Sequence, residues 1–334
     1  MFWTRFRIYT LVPAFIIVIL LSYFLSKKLR DKDEQTKLIP IKIISIVLLV
    51  LELCKQVLSI IRGYDSYHIP LHFCSLFLYF LPIAAFYKGK YKEHFRTLAA
   101  VVSACLYLFM CVYPLLIYSD EAIMDIKNFF TGNVSSFFQL HAVLFHNIAL
   151  LPFLFFAFED ICKHDTKRDI KTIIIGFAIY SVVSATIGNI FDINFNNFVH
   201  SNAPFLENLR LSLVDKLHTL GQIVYVIIVA IGTIIVPILA YLFLKLFEKL
   251  FVDTKVGIKT TIVTTALVAL GLIITIFNKG IGMVVCSVVT MIAVSAGIPT
   301  LLNVIKEKNK KYMLIDIALL VVCVLSIVLQ GIML

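Results

Sequence analysis

Charge is scarce in this chain. Asp, Glu, Lys and Arg make up 15% of its 334 residues, against 60% hydrophobic residues. A soluble domain carries about a quarter charged residues, so that class is excluded. The seven cysteines (Cys54, Cys74, Cys105, Cys111, Cys162, Cys286, Cys323) form no C-x-x-C pair, and none lies in a clearly extracytoplasmic loop. This argues against a disulfide framework and a zinc ribbon, and most of them read as small apolar packing residues. There is no Gly-rich phosphate loop, no dinucleotide fingerprint and no obvious transporter-type repeat. No metal or cofactor is implied. The net charge of +10 comes without a basic patch interleaved with aromatics, so nucleic acid is not an expected partner.

What the chain does have is long apolar runs. About 20 apolar residues span roughly 30 Å of hydrocarbon. Ten stretches qualify, at about 8–26, 41–61, 69–87, 95–118, 137–158, 171–190, 217–244, 258–277, 281–302 and 312–333. The first is followed by Lys27, Lys28 and Arg30 with no small-residue cleavage site, and reads as a retained span. Lys and Arg alternate strictly between sides. The 1–2 loop holds six, and the 3–4, 5–6, 7–8 and 9–10 loops hold four each. The opposite side collects seven, and Lys55 lies within a span. The positive-inside rule then predicts an all-α, polytopic bundle of about ten spans with both termini extracytoplasmic. Residues 1–247 are expected to form a seven-span core with an outward-facing polar pocket, and 248–334 a three-span extension. Two long outer loops, Ser119–Ser136 and the Asn-rich Phe191–Lys216, read either as lids or as connectors.

Polar residues inside apolar runs mark function when they gather. In the predicted topology six spans place such groups at one depth, near the outer surface. Span 2 carries Glu52, Lys55 and Gln56 on one face at i, i+3, i+4. These are either a self-neutralising pair or an orienting carboxylate for a histidine. Span 3 carries His72 and Cys74, about 200° apart on a helix, so a Cys–His dyad would take its histidine from another span, with His146 the best candidate. His68 and His72 share a face at i, i+4 but lack the glutamate and third ligand of a zinc motif. Spans 4 to 7 add Tyr113, His146 with Asn147, Asn189, and His218 with Gln222.

The segment Pro70-Leu71-His72-Phe73-Cys74 resembles the "PLHLC" motif of YwaF-type bacterial integral membrane proteins. Tyr113-Pro114, Phe145-His146-Asn147 with Pro152, and Asn196-Asn197 to Pro204 resemble further features of that family, over roughly residues 40–245. No Tyr-Met follows the asparagines and no Lys precedes Pro204. The resemblance implies a distant similarity to eukaryotic phospholipid acyltransferase-like membrane proteins, in which a cysteine beside the motif histidine is the proposed acyl carrier. In this chain Leu71 precedes His72, so that role would fall to Cys74.

The expectation from these residues is a multi-pass protein of the bacterial cytoplasmic membrane, with lipids as partners and a phospholipid or acyl substrate. His72 or His146 would be general base, Cys74 nucleophile and Glu52 the orienting carboxylate. Asn189 or Tyr113 would stabilise the oxyanion. Lys55, Gln56, Asn147, His218 and Gln222 would contact substrate. The alternative is a transporter or a lipid- or small-molecule-binding protein without catalysis.

Overall fold

The computed structural model describes residues 5–112, 127–133, 136–159, 161–201 and 204–332. Among these residues it is helical, with no strand. The helices are α1 (Arg5–Leu29), α2 (Glu34–Lys37), α3 (Ile39–Ile61), α4 (Phe77–Phe86), α5 (Lys92–Val112), α6 (Phe137–Glu159), α7 (Thr166–Phe191), α8 (Pro204–Leu217), α9 (Thr219–Val252), α10 (Thr254–Phe277), α11 (Lys279–Lys306) and α12 (Lys310–Ile332). Among the described residues each apolar stretch expected to span contains helix, the third only from Phe73 onward. Seven helical segments among the described residues are both long and apolar enough to cross a membrane, and Phe73–Phe86 and Phe137–Phe153 are shorter apolar helices. A polytopic helical bundle is the fold.

The chain forms two compact units. One comprises residues 1–37, 106–161 and 243–334, the other 38–105 and 162–242, so α5 and α9 each contribute to both. In the first, Tyr107 is fully buried and donates its hydroxyl to Ser295 Oγ. Phe15, Phe153, Phe243 and Phe247 surround its ring, with centroids 4.6–6.2 Å away. A buried tyrosine needs such a partner for its O–H, and Ser295 in turn donates to Met291 O at 2.7 Å. The pair α10–α11 packs through small residues, as helices do in lipid, where apolar burial gives no preference for a neighbouring helix. At Gly271 an added Cβ would stand 2.9 Å from Cys286 Cα.

In the second unit, α3 buries Ile41, Ser45, Leu48, Glu52 and Ser59. That spacing is one helical stripe, packed on α4. Ile43, Ile46, Val50, Leu53, Val57 and Ile60 stand exposed on the rest of the helix, which suits contact with lipid. The buried stripe of α7 runs Asp169, Ile173, Phe177, Tyr180, Ser184, Gly188.

The packing at Gly271 yields a test. Gly271→Val has to push α10 off the Cys286 backbone and is expected to destabilise the protein by about 1–3 kcal/mol. This should be read as a lower melting temperature in detergent, while Gly232→Ala, with open space around it, changes little.

Candidate functional site

The polar residues of α3 meet as their spacing predicts. Lys55 Nζ lies 2.7 Å from Glu52 Oε1, and Gln56 Nε2 donates to the same oxygen at 2.6 Å and to His68 O at 2.7 Å. Tyr64 O–H donates to Gln56 Oε1 at 3.0 Å. Glu52 is therefore paired with the lysine one turn away, and Gln56 ties α3 to the segment that follows.

That segment corrects the expected start of span 3. His68 closes a 3-10 turn (Ser66–His68), His72 has φ −65° and ψ 153°, and helical structure begins only at Phe73. Pro70 explains this, because a residue before proline avoids helical backbone and proline lacks the N–H a helix interior uses. His68 and His72 are thus not one turn apart on a helix, and the angle expected between His72 and Cys74 does not apply. Tyr79 and Tyr180 donate to Pro70 O and Leu71 O at 3.0 and 3.1 Å, satisfying the carbonyls that the missing turn leaves open.

His72 Nε2 lies 3.1 Å from Tyr67 O, with the ring against those of Tyr67 and Phe195. A carbonyl only accepts, so Nε2 carries the proton and the Nδ1 lone pair is left over. Burial, the largest influence, lowers the His72 pKa below the ordinary histidine value, so the imidazole is neutral at pH 7. Glu52 and Lys55 bear electrostatically on both His72 and Cys74. Cys74 is half-buried. Five of the sequence candidates (Glu52, Lys55, Gln56, His72, Cys74) therefore share one neighbourhood.

The others do not join them in the described contacts. His146 and Asn147 belong to the first unit. Both bond back along α6, His146 Nδ1 to Ala142 O at 2.6 Å and Asn147 Nδ2 to Val143 O at 2.8 Å. Asn189 is exposed and donates to Ala185 O. His218 is exposed with φ +51° at the α8–α9 junction. Tyr113, like most of the first long outer loop, lies outside the described residues.

The Asn-rich second loop turns out to be folded onto α9. Asp192, Asn196 and Asn197 have φ of 54°, 50° and 63°, the left-handed region in which Asn and Asp are several-fold enriched. Asn196 Nδ2 donates to Thr233 Oγ1, Tyr225 O–H to Asn197 O, and Gln222 Nε2 to Val199 O. Glu207 pairs with Arg210, whose guanidinium holds the carboxyl down at about 2. Gln222 is a strut of this loop.

A second polar cluster, which no sequence motif announced, lies at the other end of α7. Asp169 is fully buried. Its Oδ1 accepts from Thr97 Oγ1 (3.0 Å) and from Arg168 Nε and Nη2 (3.0 and 2.8 Å). Its Oδ2 accepts from Tyr241 O–H (2.9 Å), His164 Nδ1 (3.1 Å) and Asp165 N (3.1 Å). One carboxylate thus joins α5, α7, α9 and the turn before α7. The signal was available: Asp169 is the first member of the apolar stripe that continues as Ile173, Phe177 and Tyr180.

Between these clusters runs an open groove of about 760 Å³ along α4, α5 and α7. Leu76, Phe80, Leu98, Ile175, Ile179 and Val183 make it apolar, Leu71 and Tyr180 close one end, and His94, Arg168, Lys171 and Thr172 surround the other. Thr172 gives its hydroxyl proton to Arg168 O, so His94 Nδ1 is the donor in its 2.6 Å bond to Thr172 Oγ1. At Gly176 a Cβ would come within 2.8 Å of Leu98 Cδ2, so glycine keeps the groove floor low. The groove is lined by none of the sequence candidates. Among the described residues no group of three His, Cys, Asp or Glu is placed to hold a metal.

Removing Asp169 is the test of this arrangement. Asp169→Ala leaves Arg168 without its buried partner and is expected to cost about 3–5 kcal/mol. Asp169→Asn keeps part of the hydrogen bonding and should cost less, both read from melting of the purified protein.

No curated protein and no solved structure matches the chain. One protein family does, over residues 2–243, ending before α10–α12. The match covers more than half of the chain, which therefore belongs to the TMEM164 family of membrane proteins.

Proposed function

We propose that this protein handles membrane lipids by seating an acyl chain in the groove of its second unit, with an anionic headgroup at the Arg168–Lys171 end. The groove carries this reading. Its volume lies in the range of small-molecule sites, about 300–1,000 Å³, and its walls are almost wholly apolar. From Arg168 to Val183 it follows α7 for about 22 Å, most of the roughly 30 Å hydrocarbon thickness. Asp169 occupies Arg168 and fixes it in place, while Lys171 is exposed and makes no ion pair with the described residues.

Native mass spectrometry of the delipidated protein, offered phosphatidylglycerol and phosphatidylcholine, tests this reading. Phosphatidylglycerol should be retained preferentially. Lys171→Glu should reduce that retention at least fivefold, since one basic group near a lipid surface is worth about 1 kcal/mol. Ile179→Trp should block both lipids. Unchanged retention in both variants would end the proposal.

A second reading, acyl transfer, is favoured by the free Nδ1 lone pair of neutral His72 next to Cys74. In it His72 is general base and Cys74 the candidate nucleophile, with Glu52 and Lys55 nearby. This reading rests on Glu52, Lys55, His72 and Cys74 and assigns no role to Asn147, Asn189, His218, Gln222, His146 or Tyr113. The resemblance to YwaF-type and acyltransferase-like proteins supports this reading, and with it a place in the bacterial cytoplasmic membrane. The pH profile is the check. A base whose pKa is lowered stays neutral above that value and is lost as pH falls through it, so transfer should be flat above about 6.5 and fall only in more acidic buffer. His72→Gln should abolish it at every pH. Full turnover in His72→Gln would remove the histidine from the chemistry.

A further inference from the structure

Asp316 stands a third of the way along α12, in a helix apolar enough to cross the membrane. Its side chain is fully buried, and neither carboxylate oxygen has a hydrogen-bond partner among the described residues. This sets it apart from Asp169, which is equally buried and answered by six donor contacts. An ionised carboxylate left alone in an apolar interior is among the costliest states a protein can hold.

The groups around it make the point sharper. The two elements packed against α12 are α10 and α11. Thr261 of α10 lies beside the carboxyl, but its hydroxyl proton is already given to Gly257 O at 3.0 Å. The same holds for Thr264, bonded to Thr260 O, and for Thr300 of α11, bonded to Ala296 O. A hydroxyl that has spent its proton can only accept. The hydroxyl beside Asp316 is therefore an acceptor, and it is satisfied only by a carboxyl that keeps its own proton. Among the described residues no cation pairs with it. Lys255 and Lys259 of α10, Lys306 of α11, and Lys310 and Lys311 of α12 are all exposed, as is Glu307. Among the described residues the titratable groups that remain on these helices are Tyr312, half-buried one turn before Asp316 on α12, and the thiols. Cys323 lies 3.8 Å from Thr265 Oγ1, and Cys286 lies 3.1 Å from Ser326 Oγ.

We propose that Asp316 is an intramembrane proton-binding site, a carboxylic acid that keeps its proton at neutral pH and presents it to Thr261 Oγ1 between α10 and α12. It lies beyond residue 243, where the family match ends, so it is a property of the C-terminal helices. Losing the proton leaves a lone charge in the bundle, so the packing of α10–α12 is weakened in the ionised state.

A protonated carboxyl in an apolar site reacts with dicyclohexylcarbodiimide. The acid proton goes to one nitrogen while the carboxyl oxygen bonds to the central carbon, opening one C=N bond. The acyl group then shifts from oxygen to nitrogen to give a stable N-acylurea, with nothing oxidised and nothing released. The experiment treats the full-length protein in nanodiscs with this reagent and maps the adduct by peptide mass spectrometry from about pH 6 to about pH 9, where an ordinary aspartate is ionised throughout. We expect an adduct on the Asp316 peptide, a severalfold lower yield at the alkaline end, no change when sodium replaces choline, and no adduct in Asp316→Asn. We also expect Asp316→Asn to melt with the wild type at neutral pH and to resist alkaline unfolding better, because the amide imitates the protonated acid and cannot ionise. An unmodified Asp316 peptide across this range overturns the proposal. Protection by sodium does too, since it would mean an ionised carboxylate holding a metal ion.

Discussion

The buried carboxylate of Asp169 is the interaction on which the second unit depends. A charge with no exposed surface is tolerable only when every lone pair is answered, and the answers come from Thr97, His164, Arg168, Tyr241 and the Asp165 backbone. Because these donors sit on α5, α7, α9 and the turn before α7, meeting the demand fixes how those elements approach. Arg168 is held on one side by Asp169 and its Nη2 also donates to Lys163 O, so its place at the groove's end follows from the same network. The groove's apolar walls are ordinary lipid-facing side chains. What gives it a polar end is the anchoring of Arg168, Thr172 and His94.

Hydrogen bonding divides the remaining polar residues into two kinds. His146, Asn147, Asn189, Thr261, Thr264, Thr275 and Thr300 bond to a carbonyl three or four residues back on their own helix. Such bonds take up a side-chain polar group within its own helix and do not by themselves fix a neighbour. Gln56, Tyr180, Gln222, Tyr225 and Tyr241 reach other segments and hold loops or helices in register. In a membrane the second kind determines the tertiary arrangement, since apolar burial alone does not choose between lipid and a neighbouring helix.

This division explains how far the sequence could be read. Hydropathy locates helices well because a chain crossing lipid must satisfy its backbone internally. The contact of Glu52 with Lys55 and Gln56 was equally legible, being set by local spacing on α3. His146 and Asn147 looked like site residues because a polar group in an apolar run draws attention, yet a back-bond leaves no mark in sequence. The reverse happened at Asp169. It lies among Lys163, Lys167, Arg168 and Lys171, and the count that gave the topology treated this stretch as a solvated loop. Only its phase with Ile173 and Phe177 betrays it. Pro70 was visible too, but its effect on the start of span 3 depends on backbone detail that hydropathy averages away.

The late start of α4 has a consequence for the bilayer itself. The 3-10 turn Phe73–Leu76 rises about 8 Å and the ten residues of α4 about 15 Å, together well short of a hydrocarbon layer of about 30 Å. A neighbour such as α3, with 23 residues, reaches about 35 Å. Lipid packed beside α4 therefore meets a shorter apolar wall than lipid beside α3. A bilayer that thins to match it would hold less extended acyl chains on this side than in the surrounding sheet.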